Sequence, residues 1–156
     1  EHANDHAVWR NLRDSFPFPY TRADAEAWIR RANLGTVSHL CIAVGDEPAG
    51  GIGLDLQDDV FRRSAEIGYW LGRRFWGRGL ATEAVRALTD DAFGRFDLWR
   101  VYAGVFDRNV ASARVLEKAG YAFEGRLVKA ICKEGEALDQ LVFARVRHAE
   151  PGARPR

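Results

Sequence analysis

The sequence predicts an α+β domain with one mixed, mostly antiparallel sheet, and three observations carry that expectation. Three short β-rich runs follow one another between residues 37 and 72, separated only by turn formers and a polar stretch, the spacing of an antiparallel meander. The apolar period then becomes helical at Leu80, Ala84, Val85, Leu88, Ala92, Phe93 and Phe96. Beyond that stripe come an almost uninterrupted apolar run, a capped helix and a hairpin, which together make six strands and four helices.

The elements read in order as follows. Val8, Trp9 and Leu12 mark the apolar face of an opening helix. A second helix follows Phe18-Pro19-Tyr20, with Thr21 placed to cap it and Asp24 at the capping-box position. VSHLCIAV, PAGGIGLDLQ and SAEIGYWLG are the meander strands, divided by Gly45, Asp46 and Pro48 and then by Gln57, Asp58 and Asp59. The long central helix comes next, and LWRVYAGVF is suited to a buried strand. NVASARVLEKAGY reads as a helix capped by Asn109, with Lys118 in its last turn and Gly120 as left-handed terminator. YAFEGRLVKAIC and ALDQLVFARVR pair as a hairpin around Lys133, Glu134 and Gly135.

The 156 residues fit one domain, expected over residues 1–149 with a disordered tail at 150–156. There is no methionine, and the chain opens inside a helical pattern, so the native start and a first strand are expected to be missing. A net charge of +1 is too small for general adhesion to nucleic acid or an anionic membrane, and no apolar run approaches a membrane span. Neither partner is expected, and a cytoplasmic protein is. Cys41 and Cys132 lack the spacing of a metal knuckle or redox pair and read as reduced core residues. His2 and His6 have metal-site spacing without a third ligand, so no metal is expected. Trp9, Trp28, Trp76 and Trp99 read as core or rim rather than as a stacking platform for bases.

RRFWGRGLATEA, residues 73–84, carries the first functional signal. A strand that runs through a glycine-bearing loop into a helix presents unpaired backbone N–H groups where the helix dipole is positive. Gly77 and Gly79 permit cramped backbone angles and close approach, while Arg73, Arg74 and Arg78 can donate charge-assisted hydrogen bonds. A pyrophosphate suits such a loop. A P-loop does not fit, because Leu80 and Ala81 stand where Lys and Ser/Thr are required. A dinucleotide fingerprint fits weakly: Gly77, Gly79 and Thr82 approximate GxGxxG, but the loop follows a meander and too little chain remains for a doubly wound sheet.

Arg74-Phe75-Trp76-Gly77-Arg78-Gly79 resembles the Arg/Gln-x-x-Gly-x-Gly/Ala signature of the GNAT superfamily of acetyl-CoA-dependent N-acetyltransferases. The flanks AEIGYWLGRRFWGRGLATEAVRAL and VFDRNVASARVLEKAGYAFEG look like its RimJ/RimL-type branch, over about residues 64 to 147. The resemblance implies a GNAT fold of six to seven strands and about four helices, with acetyl-CoA as cofactor. It implies pantetheine contacts at Trp70 and Leu71, pyrophosphate contacts from Arg74 through Gly77, Arg78, Gly79 and Leu80 to Ala81, and thiol-side contacts at Asn109 and Ser112. The acceptor it implies is a small-molecule amine or a protein N-terminus, and a homodimer is left open.

Acetyl transfer needs a neutral amine, a donor for the developing oxyanion and a way to settle charge on the departing sulfur. A backbone N–H of the strand ending Tyr69-Trp70-Leu71 is the expected oxyanion donor, with Gly68 letting that strand bend or bulge. Ser112 is expected to donate to the thiolate, because Leu116 stands where many relatives carry a tyrosine acid. Glu66 shares a strand face with Gly68 and Trp70 and is the expected base, with Asp139 the other candidate. Ile131 stands where some ribosomal-type relatives carry a carboxylate. The Phe16-Pro17-Phe18-Pro19-Tyr20 loop either forms the acceptor pocket or simply packs. The alternative function is a non-catalytic acyl-CoA-binding module or sensor.

Overall fold

A computed structural model describes residues 1–34 and 39–147. In chain order the elements are α1 (His6–Trp9), α2 (Arg22–Leu34), β1 (His39–Val44), β2 (Glu47–Leu56), β3 (Ser64–Leu71), α3 (Leu80–Arg95), β4 (Arg100–Phe106), α4 (Val110–Lys118), β5 (Ala122–Lys133) and β6 (Glu136–Val146). The tail expected from residue 150 lies outside the described residues.

One six-stranded sheet has the order β1-β2-β3-β4-β6-β5. The first three strands are the antiparallel meander that the turn formers foretell, and β6 pairs antiparallel with both β4 and β5. Among the described strands only β3 and β4 run parallel, because α3 carries the chain back across the sheet between them.

The helical stripe packs where its period puts it. Val85, Leu88 and Ala92 are buried against Leu54, Ile67, Val101 and Val105 from the sheet. Thr89 is also fully buried in that stripe, satisfied by the Val85 carbonyl at 2.7 Å and the Tyr121 hydroxyl at 2.6 Å. Leu116 joins the same core. Both expected caps form: Asp24 Oδ2 accepts from the Thr21 N–H at 2.8 Å, and Asn109 Oδ1 accepts from the Ser112 N–H at 3.2 Å. The last hairpin turns through Glu134 and Gly135, both at positive φ, the geometry of a two-residue type I′ turn.

Several expectations are corrected. The opening helix is a single turn, because the chain leaves it after Trp9 and Leu12 falls outside. Cys41 and Cys132 are free thiols but exposed, since one lies on the edge strand β1 and the other near the hairpin end of β5. Gly68 makes no bulge; the β2–β3 ladder runs from Gly50↔Leu71 to Leu56↔Ala65 without a register shift. Lys133 belongs to the end of β5 and is 2 % exposed, its ammonium 2.6 Å from Asp14 Oδ1 and 3.5 Å from the centre of the Trp9 ring.

Two strand glycines separate packing from site geometry. A Cβ at Gly50 would lie 2.2 Å from the Trp70 carbonyl oxygen, whereas one at Gly68 would meet nothing within 4 Å. Gly50→Ala is therefore expected to destabilise by more than about 2 kcal/mol and Gly68→Ala to stay within about 0.5 kcal/mol of the parent, measured by urea unfolding.

Candidate active site

The parallel pair closes only at Ser64↔Arg100, Ala65↔Val101 and Glu66↔Tyr102. From there β3 continues to Leu71 and β4 to Phe106 without pairing to each other, so the two strands part and a cleft opens between them. Hydrogen-bond parity identifies which groups face it. The Gly72 N–H bonds the Ala49 carbonyl at 2.8 Å, which turns Trp70 towards β2 and leaves the N–H groups of Tyr69 and Leu71 pointing into the cleft. On the other wall the Asp107 N–H bonds Asp139, which turns the backbone of Gly104 and Phe106 inward. The oxyanion donor expected from this strand is thus narrowed to Tyr69 or Leu71. The Leu71 carbonyl is already engaged by Trp76 Nε1 at 2.7 Å, a bond that ties the following loop to the strand end.

Because α3 follows β3 and α4 follows β4, both helices begin at the diverging ends of the cleft. Gly77 has φ 72° and Gly79, the N-cap of α3, has φ 81° with no side chain to cap the helix. Open space surrounds both positions where a Cβ would sit. Among the described residues, the backbone N–H groups of residues 77–82 find no protein acceptor, the first ladder bond being Glu83 N–H to the Gly79 carbonyl at 3.1 Å. Six consecutive donors, a helix dipole and glycines that leave room fit the diphosphate of coenzyme A.

The three loop arginines are not equivalent. Arg73 pairs with Asp5 at 3.0 Å and Arg74 with Glu47, while Arg74 and Arg78 both lie over the Phe75 ring. Arg78 pairs with no carboxylate among the described residues, which leaves its charge available to an anion in the cradle. Nothing local in the sequence marks Asp5 or Glu47 as partners, because the pairs span distant segments.

At the start of α4, Ser112 Oγ lies 2.8 Å from the Tyr69 hydroxyl, which also lies 3.2 Å from the Ser112 carbonyl oxygen. Burial raises the Tyr69 phenol well above the usual tyrosine range, so it stays protonated at working pH. The sequence offers the Tyr69 backbone as an oxyanion donor but leaves its hydroxyl without a role; alternation, which sends the side chain to the face opposite Trp70, is the available signal. Leu116 points into the core, so its position offers nothing to the cleft.

The opposite face of β3 carries Glu66, Gly68 and Trp70. The Glu66 carboxylate accepts from the Arg13 guanidinium, and the Trp70 ring meets Phe16 edge-on at 5.5 Å. Phe16 stacks on Tyr20 at 4.8 Å, and Trp9 stacks on Phe18 at 5.3 Å. The aromatic loop therefore covers this face beside an exposed Gly68. Asp139 has another task. It accepts from the Lys129 N–H at 2.7 Å and from Arg126, and these bonds hold its carboxyl below the usual range. Lys129 sits at φ 51° where the β5–β6 register shifts, so Asp139 pins an irregular strand rather than serving as a ready base.

Comparisons with known proteins identify the family to which this fold belongs. The family model "Acetyltransferase (GNAT) domain" matches residues 1–122. The chain belongs to the GNAT acetyltransferase family. It is 45% identical over 82 residues to "Probable N-acetyltransferase YjcK" of Bacillus subtilis, covering 53% of this chain and 45% of that protein. It is 36% identical over 107 residues to "Uncharacterized N-acetyltransferase p20" of Bacillus licheniformis, covering 69% of this chain and 60% of that protein. The chain thus spans about half the length of these curated relatives. Among solved structures, the microcin C7 self-immunity acetyltransferase MccE, in complex with acetyl-CoA and AMP, superposes with a TM-score of 0.74 at 25% identity, covering 83% of this chain and 74% of that one. The GNAT fold expected from the loop and its flanks is the fold observed. Among the described residues, no helix is long and apolar enough to cross a membrane, and no cluster of three metal-ligating side chains occurs.

The Asp139 bonds set a pH dependence. A depressed carboxyl stabilises the fold above its unfolded value near 3.9, and that contribution is lost as pH falls through the folded value. Asp139→Asn is expected to be less stable than the parent at neutral pH and to lose less melting temperature between about pH 5 and pH 3.

Proposed function

We propose that this chain transfers the acetyl group of acetyl-CoA to a primary amine by direct attack within a ternary complex. The observation that carries the reading is the row of free N–H groups over residues 77–82, set at the open end of a splayed parallel strand pair. When bound, acetyl-CoA supplies an activated thioester. The chain's own residues hold and polarise it.

In this reading the N–H groups of Gly77, Gly79, Leu80 and Ala81, with the Arg78 guanidinium, hold the diphosphate. The backbone edges of Leu71 and Tyr69 on one wall and Gly104 and Phe106 on the other hold the pantetheine arm, with Trp70 behind it. The cleft-facing N–H of Tyr69 or Leu71 stabilises negative charge developing on the carbonyl oxygen. Asn109 orients the first turn of α4, and Ser112 donates to the departing sulfur, where the α4 dipole also favours negative charge. The amine enters over Gly68, between Glu66 and the aromatic loop. Glu66 takes its proton, directly or through water, once the amine displaces Arg13. The reading favours the RimJ/RimL-type branch through AEIGYWLG and Asn109-x-x-Ser112, and leaves the acceptor as a protein α-amino group or a small-molecule amine. It places the activity in the cytoplasm, where exposed thiols such as Cys41 and Cys132 stay reduced.

Incubation with acetyl-CoA and a panel of peptides, polyamines and aminoglycosides, read by free-thiol release, tests catalysis. Protection by acetyl-CoA without turnover on any amine would leave only an acyl-CoA-binding module. Saturating acetyl-CoA at a hundred times its dissociation constant should add roughly 2.7 kcal/mol of stability, and NAD should add none. Gly79→Glu should abolish that protection, whereas Gly79→Ala, which carries the same backbone strain at φ 81° and lowers the unliganded melting temperature about equally, should keep more of it. Gly68→Leu should raise the acceptor KM by about tenfold or more and leave the acetyl-CoA KM unchanged. With an α-amino acceptor of pKa near 8, kcat/KM should rise about tenfold per pH unit below that value.

A further inference from the structure

Two hydroxyls meet at the start of α4, and their geometry gives Tyr69 work that the cleft backbone does not do. The phenol has one proton and two acceptors in reach, Ser112 Oγ at 2.8 Å and the Ser112 carbonyl oxygen at 3.2 Å. If Tyr69 donates to the carbonyl, the serine proton is drawn to the phenol oxygen and turned from the cleft. If Tyr69 donates to Oγ, the serine must direct its own proton elsewhere, and among the described residues Oγ has no other protein partner to take it.

We propose that Tyr69 is a positioning residue whose hydroxyl donates to Ser112 Oγ and thereby turns the serine proton towards the departing sulfur. The inference rests on the reading of Ser112 as the sulfur-side donor. Each proton remains on its own oxygen: Ser112 O–H shifts its hydrogen bond from Tyr69 to sulfur, and Tyr69 O–H shifts from the carbonyl to Oγ. No covalent bond forms or breaks within the pair. Donation without transfer follows from the environment, because burial disfavours the charged phenolate. Chained donation also makes the serine a stronger donor than it would be alone. The arrangement gives the cleft a neutral two-hydroxyl donor although Leu116 occupies the place of a tyrosine on α4. Rotation of the pair is confined. Asn109 holds the Ser112 backbone, and β3 holds Tyr69.

The test titrates the thiol of coenzyme A bound to the protein, followed by thiolate ultraviolet absorbance, so that no turnover is needed. Ser112→Ala should raise the bound thiol pKa by about one unit, a tenfold loss of acidity. Tyr69→Phe should raise it by a smaller amount, and the double variant should match Ser112→Ala alone, because Tyr69 acts only through the serine. Replacing Tyr69 by a fluorinated, more acidic tyrosine should move the pKa down, a direction that mere packing would not produce. An unchanged thiol pKa in Tyr69→Phe, with Ser112→Ala shifted, would overturn the role of Tyr69 and leave Ser112 standing. Additive shifts in the double variant would overturn it too. No shift in Ser112→Ala would remove the serine reading itself, and the inference with it. Melting temperature and coenzyme A affinity, measured on each variant, identify any that fails to fold.

Discussion

The parallel contact between β3 and β4 organises this molecule, because it lasts three residue pairs and then stops. A strand pair that continued would satisfy its own backbone and leave nothing to offer. By parting after Glu66 and Tyr102, it leaves the inward N–H groups of Tyr69 and Leu71 facing the backbone of Gly104 and Phe106 across a gap. Exposed backbone donors are costly when buried without partners. Here they border an open cleft, where water or an extended amide-bearing ligand satisfies them. The same divergence sets where the two following helices begin, so both helix dipoles point at one opening.

Strand alternation then divides the labour. Tyr69 points towards α4 and meets Ser112, whereas Trp70 points the other way and meets Phe16. One strand therefore supplies backbone to the cleft, a hydroxyl to the start of α4 and an aromatic wall to its opposite face. Glu66 and Gly68 share the Trp70 face, which gives that wall a carboxylate and a vacant floor. Such compression is possible because a β-strand has three distinct directions at each pair of residues: two faces and the free edge.

The Trp70 face of β3 is completed by a segment remote in sequence. Residues 5–14 are held by charges from elsewhere: Arg73 on Asp5, Glu134 on His6 at 2.8 Å, Arg108 on the Arg10 carbonyl and Lys133 on Asp14. Lys133 is the most buried of these anchors. An ammonium that is 2 % exposed needs its counterion and its aromatic neighbour, since losing either would leave a buried charge poorly compensated. The exposed pairs contribute little individually and act chiefly as registration.

The sequence by itself determined the elements, their order and the glycine turn that leads into α3, because each rests on local physics. Period 2 against period 3.6, the Thr21 and Asn109 caps, the Gly120 terminator and the paired glycines at 77 and 79 all act within a few residues. Alternation also placed Glu66, Gly68 and Trp70 on one face. Tertiary structure alone decided how far β3 and β4 pair, which N–H groups face the cleft, and which carboxylate each arginine meets. It kept Gly68, free by sequence to bend or bulge, in a regular ladder, and it exposed Cys41 and Cys132. It also gave Asp139 to a strand irregularity and joined Tyr69 to Ser112 across 43 residues. Those outcomes depend on contacts between segments far apart in the chain. No local pattern encodes them, since the same side chain serves as base, latch or solvated charge according to what folding brings beside it.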